Sequence, residues 1–161
     1  LIDFYSLYYL RFVEGQNLSG GIHWQNMQTN SQVRSWLGLS FEMLCLMHVS
    51  AIRSKLGIAG VDCEIGKWSN VDKEGQGTQL DLVIKRKDQV TNICEMKFYD
   101  TEFEIDAAYA VALENKVRVY KEKTKTRDAL HLTMVTSYGV KKNSYYNVIT
   151  NEITLDDLFE N

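Results

Sequence analysis

The chain has 161 residues, 45% of them hydrophobic and 24% charged, with a formal net charge of −3 and no proline. This apolar and aromatic content excludes a disordered chain, and the net charge excludes a globally basic nucleic-acid coat while leaving room for a local basic face. The best apolar run, 36–52, is interrupted by Ser40, Glu42, His48 and Ser50, so no stretch reads as a membrane span.

The elements follow in chain order. Aromatics Phe4, Tyr5, Tyr8, Tyr9 and Phe12 recur at helical spacing and predict a helix over 3–14. Gly15 and the run Ser19-Gly20-Gly21 end it in a loop, and 25–32 is polar, irregular or a weak helix start. Residues 36–56 form the central helix candidate, apolar on nearly every side and stopped by Gly57 and Gly60. A strand over 61–68 is followed by a glycine-rich turn over 69–77. Next comes a hairpin: one strand over 79–85 with Leu80, Leu82 and Ile84 on one side, a turn at 86–89, and a second strand over 90–99. In that second strand Ile93, Glu95 and Lys97 alternate with Cys94, Met96 and Phe98. Residues 105–124 read as a long helix and 130–136 as a buried strand; 145–149 reads as a further short strand and 155–159 as a closing helical turn opened by Thr154. This order describes one mixed α/β domain.

Cys45, Cys63 and Cys94 are odd in number, with no CxxC pair to hold zinc. They read as small buried hydrophobes in a reducing, cytoplasmic setting. The opening Leu1-Ile2-Asp3-Phe4 lacks both a methionine and the basic region of a signal peptide. The chain therefore reads as the C-terminal part of something longer.

The hairpin carries the sharpest chemical signal. Asp81 and Glu95 are equidistant from Asp88 in the middle of the turn, so a regular hairpin places them opposite one another. Directly opposed side chains lie about 4.5–5.5 Å apart at Cβ, where two carboxylates repel unless a cation or a shared proton separates them. A bulge would spoil the register but keep the neighbourhood. Lys97 falls on the same face as Glu95. Hard oxygen donors of this kind suit Mg²⁺ or Mn²⁺, and a lysine beside them can orient a water or stabilise developing charge. The competing reading is a surface Glu95–Lys97 ion pair. Against it, both acids interrupt apolar strands, where an unpaired carboxylate is expensive. Glu42 interrupts the central helix in the same way; it pairs with Arg53 or reaches the same site as a third acid.

A helix glutamate, a hairpin aspartate and Glu-x-Lys on the next strand resemble the PD-(D/E)XK nuclease superfamily. Here the elements read Phe41-Glu42, Gln79-Leu80-Asp81-Leu82-Val83-Ile84 and Cys94-Glu95-Met96-Lys97. The surrounding segments, including 130–136 and 154–159, are similar to the C-terminal nuclease-like domain of AAA+ ATPases of the Bacteroidetes and archaeal type. The resemblance implies a restriction-endonuclease-like core, a central mixed β-sheet flanked by helices, over 36–161. Residues 1–35 would form a helical lead-in from an ATPase part of the same parent chain. It implies that Asp81 and Glu95 ligate Mg²⁺ or Mn²⁺ with the Met96 backbone carbonyl, that Lys97 positions the attacking water, that Glu42 completes the site, and that the product is phosphodiester hydrolysis in DNA. Two positions depart from the family pattern. No proline precedes Asp81, and Lys116-x-x-x-Tyr120 stands where exonuclease-like members carry Gln-x-x-x-Tyr.

Six cations, Lys116, Arg118, Lys121, Lys123, Lys125 and Arg127, crowd the long helix and its end. They form a solvated face that complements the helix dipole, or a phosphate-tracking ridge with Lys116, Tyr120 and Lys123 as the nucleic-acid contacts. His23, His48 and His131 are isolated, and no P-loop is present, so any ATP chemistry belongs elsewhere in a parent chain. Two functions follow. One is a metal-dependent nuclease domain, with which an oligomer is compatible. The other is a catalytically weak or silent nuclease-fold module that binds nucleic acid or protein and regulates the ATPase.

Overall fold

A computed structural model describes residues 3–14, 30–71, 75 and 77–160. The loop expected at 15–21 and most of the polar stretch at 25–32 lie outside these residues, as does His23. The chain divides into two compact units, Leu1–Ser40 and Phe41–Asn161.

In the first unit, helix α1 (Phe4–Phe12) starts on Asp3, whose carboxylate accepts the Tyr5 and Ser6 amide N–H groups at 3.1 and 3.2 Å. Capping by an aspartate satisfies donors that a helix start leaves free. Rings of Tyr8, Phe12 and Trp36 meet with centroids 5.4–5.9 Å apart, and Phe12 is buried. Helix α2 (Ser31–Met47) begins in this unit and ends in the second.

The expected single helix over 36–56 is two helices, α2 and α3 (Val49–Lys55), bent by 71° around His48. Neither proline nor glycine marks the break. His48 leaves the helical region at φ −106°, ψ 27°, and its ring packs on Phe159 at 4.7 Å. Helix α3 then stops where the sequence places the stop. Gly57 takes φ +70°, while the Gly57 and Ile58 N–H groups bond to the Ser54 and Arg53 carbonyls at 2.9 Å, the paired bonds of a left-handed helix cap. Among the described residues no single helix is long and apolar enough to cross a membrane.

The second unit is an α/β structure built on a five-stranded mixed sheet flanked by helices. Strands β1 (Cys63–Val71), β2 (Gly77–Arg86), β3 (Val90–Lys97), β4 (Ala129–Thr136) and β5 (Asn151–Thr154) lie in sequence order. The first three pair antiparallel; β3–β4 and β4–β5 pair parallel. Parallel pairing of β3 and β4 requires a crossover, which helix α4 (Ala107–Thr124) supplies. The strand expected at 145–149 is a 3-10 turn, Tyr146–Val148; the fifth strand follows it. Expected in its place, the helical turn over 155–159 is the 3-10 segment Asp156–Leu158.

Two apolar layers cover the sheet. Phe41, Cys45 and Ile52 of α2 and α3 pack on Leu82, Ile84, Cys94, Met96, Val135 and Ile153. Ala110, Leu113 and Tyr120 of α4 pack on Leu80, Val83, Ile93, Leu132 and Met134. The alternation anticipated for β3 therefore holds: Cys94 and Met96 join one layer and Ile93 the other. Strand β2 departs from expectation, because Leu80 joins the layer opposite to Leu82 and Ile84. The cause is a bulge: Gly66 pairs with Val83 and Trp68 with Leu80, so Asp81 and Leu82 together oppose the single residue Lys67. Cys45 and Cys94 are buried free thiols whose pKa values burial pushes up to about 12, and Cys63 is also free. Their chemistry is that of small hydrophobes.

Candidate active site

The β2–β3 ladder keeps the register anticipated from the sequence, Leu82 opposite Cys94 and Val83 opposite Ile93. It stops one pair short of Asp81 and Glu95, because the β2 bulge begins there. Instead of a strand carbonyl, the Asp81 Oδ2 accepts the Met96 amide N–H at 2.9 Å. Met96 thus meets Asp81 through its N–H. Burial pushes the Asp81 carboxyl above its usual range, and the charges of Glu95 and Glu42 push it the same way. The Met96 N–H and Lys97 act against this shift.

Glu95 is the most deeply placed acid among the described residues, 2% exposed. Lys97 Nζ stands 2.9 Å from its Oε1, Lys116 Nζ 2.7 Å from its Oε2, and Tyr109 donates its hydroxyl to Oε1 at 3.2 Å. Burial alone would raise this carboxyl. The Lys97 and Lys116 charges and hydrogen bonds prevail and hold it below the usual range. So the Glu95–Lys97 pair read as a surface alternative exists, but its acid is buried. Lys97 itself is 36% exposed and reaches solvent; its ammonium lies 6.0 Å from the Tyr109 ring centroid.

The third acid, Glu42 of α2, pairs with Lys67 of β1. The expected alternative partner, Arg53, instead donates to the Ala59 and Val61 carbonyls at 3.1 and 2.7 Å, bracing the turn into β1. Glu42 still belongs to the constellation, because its charge raises both the Asp81 and Cys45 pKa values.

Helix α4 supplies two more members. Its N-cap Asp106 accepts the Tyr109 N–H at 2.7 Å, which fixes the turn that carries Tyr109. Behind it, rings of Tyr99, Phe103 and Tyr109 pack edge to face at 5.6 and 5.2 Å, and Ser137 holds the Tyr99 amide at 2.8 Å. Seven residues on from Tyr109, two helical turns, Lys116 comes to the same carboxylate. Sequence reasoning assigned Lys116 to nucleic acid and did not single out Tyr109. The seven-residue spacing on a helix that must cross back over β3 was the available signal.

The three residues expected to touch nucleic acid separate. Lys116 is at the acid cluster. Tyr120 is 5% exposed, with its ring against Trp68 at 5.2 Å, so it is a core residue and presents no surface to a polymer. Lys123 is exposed, two turns beyond Lys116. Its neighbour Arg118 pairs with Glu122 at 2.9 Å.

Asp81 and Glu95 offer hard oxygen donors from adjacent strands, and the mutual repulsion that raises Asp81 is what a divalent cation relieves. No group of three His, Cys, Asp or Glu side chains encloses a cation among the described residues. Two carboxylates are the donor set that an open Mg²⁺-type site would use, sharing the ion with waters and substrate phosphate. Comparison of the chain with protein-family models, with curated proteins and with solved structures returned no match.

Proposed function

We propose that the second unit is a metal-dependent nuclease domain that hydrolyses phosphodiester bonds in DNA. The observation that carries the reading is the convergence of Asp81, Glu95 and Lys97 at the point where the β2–β3 ladder opens. The resemblance of Glu42, Asp81 and Glu95-Met96-Lys97 to the PD-(D/E)XK pattern supports it, as does a mixed sheet flanked by helices.

Asp81 and Glu95 would hold Mg²⁺ or Mn²⁺, with the Met96 carbonyl. When bound, the cation supplies Lewis-acid charge and a more acidic water. Lys97 holds the attacking water and stabilises charge on the phosphoryl oxygens, as its 36% exposure and its anchor on Glu95 allow. Water oxygen bonds to phosphorus, the bond to one sugar oxygen breaks, and a phosphate monoester and a free hydroxyl result. Glu42 keeps Lys67 at the flank of the site. Lys123 and the other cations at the end of α4 track the polymer backbone. In this reading the domain is the C-terminal module of a cytoplasmic ATPase.

Incubating the protein with supercoiled plasmid and Mg²⁺ or Mn²⁺, beside a Glu95→Ala variant, tests the proposal. Metal-dependent nicking by the first alone supports it; identical products from both overturn it.

One observation favours a second reading. Three cations and three acids balance without any metal: Lys67 with Glu42, and Lys97 and Lys116 around Glu95 beside Asp81. A cluster neutralised in this way suits a silent nuclease fold that binds DNA or protein and regulates the ATPase. Salt-dependent DNA binding without cleavage would mark it.

A further inference from the structure

Lys116 is one of three groups gathered on the Glu95 carboxylate. Glu95 already has Lys97 on Oε1 at 2.9 Å and the Tyr109 hydroxyl on the same oxygen at 3.2 Å. Lys116 takes the other oxygen, Oε2, at 2.7 Å. It comes from a different element, at the end of a flexible four-carbon stem, and is 27% exposed. A lysine is a compact point charge that can leave one anion for another without losing its proton. Around it the charges already cancel, so a divalent ion at Asp81 and Glu95 brings two positive charges into a balanced cluster. Of the three lysines, Lys67 belongs to Glu42 and Lys97 shares its oxygen with Tyr109. The Oε2 side of Glu95 is occupied by Lys116.

We propose that Lys116 is a tethered counter-ion that competes with a divalent cation for Glu95, and that cation entry releases its ammonium toward a phosphate anion. This deepens the two-carboxylate reading and rests on it. The free protein is thereby kept neutral around the buried Glu95, and the displaced ammonium is placed beside the cleavage site once the cation has entered. Lys116 is then a positioning residue for the metal and a contact for the substrate, one after the other.

The test is Mn²⁺ binding to the protein without DNA, read by the loss of the free-ion electron paramagnetic resonance signal. Wild type is compared with Lys116→Met, Lys116→Gln and Asp81→Asn, each checked for folding by circular dichroism. An opposite charge within about 4–6 Å changes a carboxylate's proton affinity by about tenfold or more, and a divalent cation at the same oxygen feels the same field. Both Lys116 variants are expected to bind Mn²⁺ at least about tenfold more tightly, and Asp81→Asn more weakly. A merely structural lysine would give the reverse, since its loss would loosen Glu95 and weaken binding. Unchanged or weaker binding in both Lys116 variants, with wild type binding normally, overturns this inference and leaves the two-carboxylate site standing. Tighter Mn²⁺ binding in the Lys116 variants, with no plasmid cleavage by wild type, supports the inference and removes the nuclease reading. Absence of binding in every protein overturns both.

Discussion

The Asp81 carboxylate accepts the Met96 amide N–H at 2.9 Å, at the position where the β2–β3 ladder ends. One side chain thereby replaces a strand carbonyl and is held, by backbone geometry, beside a buried glutamate of like charge. Two like charges held this close cost stability unless a cation or a proton offsets them.

Asp81→Asn separates those two roles. The amide oxygen can still accept the Met96 N–H, while the repulsion from Glu95 disappears. Folding stability is expected to stay level or rise by up to about 1 kcal/mol, while metal-dependent cleavage falls by about 100-fold or more. Thermal unfolding and plasmid nicking, measured on the same preparation, check both halves.

Glu95→Gln has the opposite signature in stability. It leaves Lys97 and Lys116 facing a neutral amide at a site 2% exposed. A loss of about 1–3 kcal/mol is expected, below the full figure for a broken buried pair because both ammoniums keep contact with water. Urea unfolding measures it.

Tyr120 and Lys123 are predicted to part company. Tyr120→Ala removes a buried ring packed on Trp68 and should lower stability by about 3–4 kcal/mol, with little change in DNA affinity per folded molecule. Lys123→Ala should leave stability within about 0.5 kcal/mol and reduce the salt slope of DNA binding by about one. Fluorescence anisotropy over a salt series distinguishes them.

Away from the acid cluster, Asp157 adds its own share to the acid limb of stability. Burial works against the Asp157 charge, but Lys55 and the Thr154 amide, 2.8 Å away, together hold its carboxyl below the usual range. A depressed carboxyl stabilises the fold above its unfolded-state value of about 3.9 and loses that contribution as pH falls through the lowered folded value. Asp157→Asn should therefore flatten the decline in stability between about pH 5 and pH 2, as denaturant midpoints across that range would show.

How far the sequence carries is visible in particular residues. The hairpin register around Asp88 was readable because the polar turn at 86–89 fixes its centre and a one-residue slip would invert the faces of both strands. The bulge at Asp81 was not, because it arises from pairing with β1, a strand with its own irregular burial. Strand β5 has a single buried residue, Ile153, in four, too few for any period to show. Nothing in the composition marks the break at His48, since the helix is apolar on both sides of it. The proximity of Asp81, Glu95 and Lys97 was legible because charge interrupts apolar strands. The partnerships Glu42–Lys67 and Glu95–Lys116 were not, because they join elements 25 and 21 residues apart. Tyr120 was misplaced by its position among cations, although it sits on the buried side of α4 with Leu113.

The proposed function stands on divalent-cation binding by Asp81 and Glu95 together. A crystal soaked in Mn²⁺ and measured at the manganese absorption edge tests it most directly. An anomalous peak beside the two carboxylates, with Lys116 turned away from Glu95, is the expected result. No peak there, with Lys97 and Lys116 still seated on Glu95, would contradict it.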